Sequence, residues 1–283
     1  MATAVIARAP GRSRWPSLVP YAVLLLATVP ILVLYLWLFY SSFFPRIEGF
    51  RPVGAFTIDN WRFLWDSQSV PQLRNRPPII PLTINTFFFA TMTSLISLLV
   101  SSMAGYAFSR LRFRGRRVFL GGVLLLHSFP SVTLLIALFV VLRFLGLYDK
   151  LVGVILVQTA FALPFGIWIM KGFFDNIPWD LEMSALVDGA GRLRTWWRIM
   201  LPLVKPAVWA AVLLMWVTSL SELSATIVLY YGGMSTMPIE IFQQVDSGRL
   251  ALASAYSVIL MLAIFVPLAI ARWIFRLRLD ALA

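Results

Sequence analysis

Long uncharged stretches divide the chain. Residues 18–44, 77–109, 118–142, 151–170 and 250–271 contain no Asp, Glu, Lys or Arg, and a helix needs about 20 residues to cross a hydrocarbon core. A sixth stretch, roughly 206–231, is interrupted only by Glu222. The pattern predicts an all-α, polytopic membrane protein with six transmembrane helices, at about 18–42, 79–106, 118–142, 151–170, 206–231 and 250–273. They form one transmembrane domain over 18–275, preceded by a short segment 1–17 and followed by a tail 276–283. Two connections are long. The 45–76 loop carries Trp61, Phe63 and Trp65, a pattern that predicts a short interfacial helix, and residues 171–205 form a polar block between the fourth and fifth spans.

Composition agrees with lipid as the main solvent: 60% of residues are hydrophobic and 13% charged, against roughly 25% charged in soluble domains. With no cysteine, disulfides and thiolate sites are excluded, and the lone histidine, His127, makes no multi-histidine metal site. The net charge of +12 would suggest nucleic acid in a soluble protein, but here it orients the chain. The N-terminal segment, the second and fourth connections and the C-terminal stretch hold 16 of the 24 basic residues. The positive-inside rule therefore places both termini and the 171–205 block in the cytoplasm, as an even number of spans requires. Arg8, Arg12 and Arg14 precede the first span like the start of a signal peptide, but its apolar run exceeds a 7–15-residue signal core, so it is expected to remain as an anchor. The Arg110–Arg117 run reads as an orientation signal and a lipid-headgroup contact.

The 171–205 block is punctuated like folded structure. Pro178 suits a helix start, with Asn176 or Ile177 ahead of it. Asp180 and Glu182 favour the positive end of that helix, and Gly189 and Gly191 permit a stop. A second helix is expected from about Arg192 to Met200, ending before Pro202. Met183-Ser184-Ala185, three residues, Gly189, nine residues, Ile199, one residue, Leu201-Pro202 resembles the "EAA" loop of ABC-importer permease subunits, Glu-Ala-Ala-x3-Gly-x9-Ile-x-Leu-Pro. Met183 and Ser184 stand where that pattern has Glu and Ala, with Glu182 alongside. Ala104–Arg117 and Phe161–Trp168 are similar to stretches of maltose-type carbohydrate permeases.

The resemblance implies an ABC type I importer permease architecture in a prokaryotic plasma (inner) membrane. It implies that Glu182, Met183, Ser184, Ala185, Asp188, Gly189 and Ala190 belong to a coupling helix seated in a groove of a cytoplasmic ATPase. The implied partners are a pair of ATP-binding subunits, a homologous second permease and an extracytoplasmic substrate-binding protein. This chain has no Gly-x4-Gly-Lys-Ser/Thr phosphate loop, so it is expected to be a transport subunit without an ATPase site, binding no cofactor, while ATP and Mg are used by the partner.

Glu222 is the ionisable group placed well inside a span, where insertion costs at least about 2.5–3.5 kcal/mol and a functional role is the default. Thr218, Ser219, Glu222 and Thr226 follow helical i, i+3, i+4 spacing and form one polar stripe. That stripe either lines a translocation path or packs against a neighbouring helix. Asn85 and His127 are further pathway candidates, and Trp216, Tyr230 and Tyr231 are candidates for stacking on sugar rings. The hydroxyls at Ser94, Ser97, Ser101 and Ser102 read as packing devices. The expected cargo is a sugar or oligosaccharide. Ser221–Tyr230 also resembles ferric-iron or phosphonate permeases, and Glu222 alone would suit an ion-coupled secondary transporter, although no internal repeat supports that.

Overall fold

A computed structural model of the chain describes residues 18–66, 76–229 and 235–275. The segments 1–17 and 276–283, together with Tyr230 and Tyr231, lie outside the described residues.

The long helices are α1 (Leu18–Ser41), α2 (Ile79–Arg110), α5 (Leu151–Asp175) and α12 (Leu250–Phe275). Each contains a segment long and apolar enough to cross a membrane. A fifth candidate is the bent pair Leu193–Leu203 and Val208–Leu220, whose halves meet at 79°. Among the described residues there are thus four to five candidate spans where the sequence pattern predicts six. The difference lies in two interrupted segments. The predicted 118–142 span is two helices, α3 (Arg116–His127) and α4 (Ser131–Phe144). They are separated at Ser128-Phe129-Pro130, because Pro130 cannot donate the backbone hydrogen bond that would continue the ladder. The predicted 206–231 span is α9 (Lys205–Leu220) and α10 (Ser224–Leu229), broken around Glu222.

The prediction of an all-helical chain is amended outside the spans. β1 (Arg46–Glu48) and β2 (Arg51–Val53) pair antiparallel in a small hairpin. Gly49 at its turn takes φ +62°, a conformation that side chains with a Cβ resist. The short helix foreseen at Trp61 is a 3-10 turn, Asp59–Leu64. It is fixed by Asn60, whose Nδ2 donates to the carbonyls of Ser42 and Phe44 at 3.0 and 2.7 Å. Its Phe63 is buried and stacks on Tyr256 of α12 at 4.1 Å.

Helix α2 is the spine. It runs 32 residues, about 48 Å at the helical rise, and packs along α5 and α9. The α2–α5 seam admits no extra atom. A Cβ added to Gly105 would lie 2.7 Å from Met170 Cβ and 2.8 Å from the Lys171 backbone nitrogen. One added to Gly166 would strike Ser101 Oγ and come within 2.9 Å of Met215 Cε. Ser94, Ser97, Ser101 and Ser102 are buried on α2, in keeping with close helix approach through small residues.

Three apolar clusters hold the described residues together. One joins Phe89 of α2, Leu135 and Leu142 of α4, Val154 and Val157 of α5, and Leu229 of α10. A second joins Phe63, Leu82 and Met237 to Tyr256. The third gathers Met170 and Phe174 at the end of α5 with Trp196 and Met200. By contrast α1 touches the body mainly along α12, and α3 buries no residue.

Candidate functional site

The 171–205 block folds into a short helix, α6 (Trp179–Val187), followed by α7 (Arg192–Thr195), a π-helical turn Trp196–Met200, and α8 (Leu201–Leu203). Helix α6 stops where the glycine predicted it. Gly189 takes φ +83°, its N–H donates to Leu186 O at 3.1 Å, and the Ala190 N–H donates to Ala185 O at 3.0 Å. This is the Schellman pairing, and it needs a residue free to be left-handed. The second helix does not end before Pro202 as its ring suggests. The π-turn widens the ladder just upstream, so Pro202 falls in the first turn of a new helical piece, where its missing N–H is no loss.

Helix α6 has two faces. Leu181, Ser184, Val187 and Asp188 are exposed, with Gly189 at the tip, while Met183 and Ala190 are half-buried. Val187 is 86% exposed, an apolar side chain with nothing of this chain to cover it. Ala185 and Glu182 turn inward. Leu181, one turn ahead of the buried Ala185, is exposed, because the inward side is set by Glu182.

Glu182 is 4% exposed and anchored to α2. Its Oε2 lies 3.1 Å from Arg110 Nε, and the Tyr106 hydroxyl donates to its Oε1 at 2.5 Å. Arg110 is itself fully engaged. One Nη donates to the carbonyls of Phe174 and Ile177 at 2.8 and 2.7 Å, and the guanidinium lies 5.2 Å from the Trp179 ring centroid. A buried guanidinium and carboxylate with these extra hydrogen bonds form a joint between the end of α2, the end of α5 and α6. Sequence reasoning placed Glu182 in the loop but missed Tyr106, and it assigned Arg110 to a headgroup-facing run from which burial against Glu182 removes it. The signal was available: Arg110 directly ends a stretch of 33 uncharged residues, 77–109.

The second constellation surrounds the two broken spans. A cavity of about 460 Å³ is lined by His127, Phe129 and Ser131 at the first break, Gln158, Phe161 and Pro164 of α5, and Glu222 and Ser224 at the second break. Glu222 Oε1 accepts the Ala225 backbone N–H at 2.8 Å, which caps the start of α10, and Oε2 accepts Gln158 Nε2 at 3.2 Å. His127 stacks on Phe165 with centroids 5.9 Å apart. Two of the predicted pathway residues, Glu222 and His127, thus line one cavity.

The other four do not line it. The i, i+3, i+4 stripe requires a continuous helix, and the break at Glu222 destroys it. Thr218 points its hydroxyl back to the carbonyls of Leu214 and Met215, Ser219 is buried in packing, and Thr226 bonds to the carbonyls of Glu222 and Leu223. Asn85 donates to Ser235 O at 3.4 Å, tying α2 to the chain ahead of α11 (Met237–Asp246). Trp216 donates to Thr91 Oγ1 at 3.2 Å and tilts on Phe87. Gln158 was missed, though it is the single amide in the uncharged 151–170 stretch.

Residues 97–279 match the family model of the binding-protein-dependent transport system inner membrane component. The chain belongs to this family. Among this chain's curated relatives is a trehalose transport system permease protein of Mycobacterium tuberculosis, 32% identical over 191 residues, which are 66% of each chain. A galactooligosaccharides transport system permease protein of Bacillus subtilis is 34% identical over 192 residues, 66% of this chain and 65% of that one. The chain thus spans about two thirds of these relatives' length. A bacterial ABC transporter involved in the import of the acidic polysaccharide alginate has a chain that superposes with a TM-score of 0.65. It is 22% identical over 95% of this chain and 99% of that one. The match establishes the shared fold.

Proposed function

We propose that the chain is the permease subunit of an ATP-driven importer that carries a sugar or oligosaccharide delivered by an extracytoplasmic binding protein. The observation that carries this reading is the cavity between the two broken spans. Irregular backbone at membrane depth is tolerated where it lines a cavity, and here both breaks face the same one. Glu222 supplies carboxylate oxygens, Gln158 an amide and Ser131 a hydroxyl, all suited to sugar hydroxyls, while Phe129 and Phe161 offer apolar surface to a ring face. The relatives named for trehalose and galactooligosaccharide support the cargo class.

In this reading α3 with α4, and α9 with α10, are the third and fifth of six spans over 18–275, and both termini face the cytoplasm. The exposed face of α6 and the turn after it, with Leu181, Ser184, Val187, Asp188 and Gly189 and the half-buried Met183 and Ala190 at its margin, seats in a dimeric ATPase that supplies ATP and Mg chemistry. Glu182 works from the other side, fastening α6 to the transmembrane body. A homologous second permease completes the path, and its contact covers apolar surface such as Ile136 and Val140 of α4, which is exposed in this chain. Closure of the ATPases on ATP displaces α6, and the displacement passes through Arg110 and Phe174 to α2 and α5.

The test is reconstitution of the chain with its ATPase, second permease and binding protein in proteoliposomes. Sugar-loaded binding protein is expected to stimulate ATP hydrolysis and uptake. Glu222→Ala should lower sugar uptake while ATPase subunits still co-purify, and Gly189→Trp should uncouple hydrolysis from uptake. Failure to form any complex with ATP-binding subunits, or full uptake by the Gly189 variant, would overturn the reading.

A further inference from the structure

We infer that the chain carries a site for the phosphate of an anionic phospholipid where the second and third hydrophobic stretches meet. An open cavity of about 830 Å³ is lined by Arg112, Arg114, Arg116, Arg117 and Lys171, together with Phe113, Gly115, Val118 and Leu120. Five cations and no carboxylate form its wall. They come from two places in the chain: the connection between α2 and α3, and the end of α5.

Arg112, Arg114 and Arg117 are available to a ligand, while Arg116 lies within the field of the Asp175 carboxylate. The ion pairs among the described residues join Arg62 to Asp59, Arg76 to Glu240, Arg110 to Glu182 and Lys171 to Asp175. None uses Arg112, Arg114, Arg116 or Arg117. Asp175, which holds Lys171 and accepts the Ser109 hydroxyl at 2.6 Å, lines the adjoining cavity instead. The arginine-bearing connection is ordered by packing. Phe113 tilts between Phe108 at 5.8 Å and Phe119 at 6.5 Å, the Leu111 N–H bonds to Ala107 O, and Gly115 takes φ +84° to turn the chain into α3.

Position selects a lipid over a soluble anion. All five cations follow or precede an uncharged stretch: 77–109, 118–142 or 151–170. They therefore lie at headgroup depth, on whichever face of the membrane this end of the bundle sits. The basic cavity shares Leu120 and Lys171 with a second of about 390 Å³, lined by Trp168, Ile169, Gly172 and Phe173 together with Asp175 and Asn176. Beside it Val118 and Phe119 are exposed on α3. A charged pocket beside a second cavity whose carboxylate is already held by Lys171 and whose other wall is apolar, with an interfacial tryptophan, fits a phosphate joined to a glycerol and acyl chains. Arginine forks give each phosphate paired hydrogen bonds, and the helical N–H groups at the start of α3 add the same sign of potential.

The experiment is native mass spectrometry of the detergent-purified permease complex with added phosphatidylglycerol, phosphatidylcholine or inorganic phosphate. Phosphatidylglycerol adducts should be retained in preference to phosphatidylcholine, and inorganic phosphate should not displace them. Each arginine replaced by glutamine at 112, 114 and 117 should weaken retention about fivefold, from roughly 1 kcal/mol per interfacial cation. Trp168→Ala, which leaves the charges that orient the chain untouched, should shorten retention without restoring phosphatidylcholine binding. Equal retention of the two lipids, or unchanged selectivity in the arginine variants, would overturn the site. Displacement by inorganic phosphate at matched concentration would also overturn it, by showing a soluble-anion site.

Discussion

Arg110 and Glu182 make the sharpest case at the scale of single residues. Both are almost wholly buried, and each has partners beyond the other. Removing one leaves an uncompensated charge, a loss of about 3–5 kcal/mol. Arg110→Ala should therefore lower the thermal unfolding midpoint of the purified complex clearly, and the double replacement Arg110→Met with Glu182→Leu should recover much of that loss. Stability that returns while ATP-driven uptake does not would mark the pair as a positioning element. Glu222 is different in kind. It is partly exposed, caps α10 and holds Gln158. Glu222→Gln keeps an oxygen for the Ala225 N–H, so near-normal expression is expected, and any change should appear in the KM for sugar uptake.

Among the elements, legibility from sequence followed the range of the physics. Hydropathy runs marked α1, α2, α5 and α12, since twenty or more apolar residues have few soluble uses. The stop of α6 was legible because a left-handed residue after a helix is a local requirement that Gly189 meets. The breaks at Ser128–Pro130 and Glu222 were misread as features inside continuous spans, because a kink and a full interruption carry the same residues. Only the neighbours that recapture the freed backbone groups decide between them. Arg110 with Glu182, and Gln158 with Glu222, are pairs 72 and 64 residues apart in the chain, a separation no periodicity reports. The seam of α2 with α5 gives the test at this scale. Gly166→Leu should abolish assembly, since the added atoms meet Ser101 and Met215, whereas Gly172→Ala, which meets nothing within 4 Å, should be silent in expression and uptake.

For the whole molecule, orientation is the prediction with the cleanest readout, because the chain has no cysteine of its own. Phe50 is 82% exposed in the hairpin loop and Leu193 is 70% exposed beyond α6. A maleimide that cannot cross membranes should label Phe50→Cys on intact cells and Leu193→Cys only after permeabilisation. The α2–α5 seam sets how such a body can deform. Where a glycine backbone already touches its neighbour, two helices can neither slide nor rotate against each other without separating, so α2 and α5 act as a single stiff beam. The Arg110 joint clamps α6 to one end of that beam, and the Glu222 break lies beside it farther along, across from Gln158. A small tilt imposed at the clamped end is thus delivered some way off as a displacement of cavity wall, with α10, beyond the Glu222 break, as the part left to swing. Spin labels placed on α2 and α5 should keep one fixed spacing through the ATP cycle, while a pair spanning α5 and α10 should not.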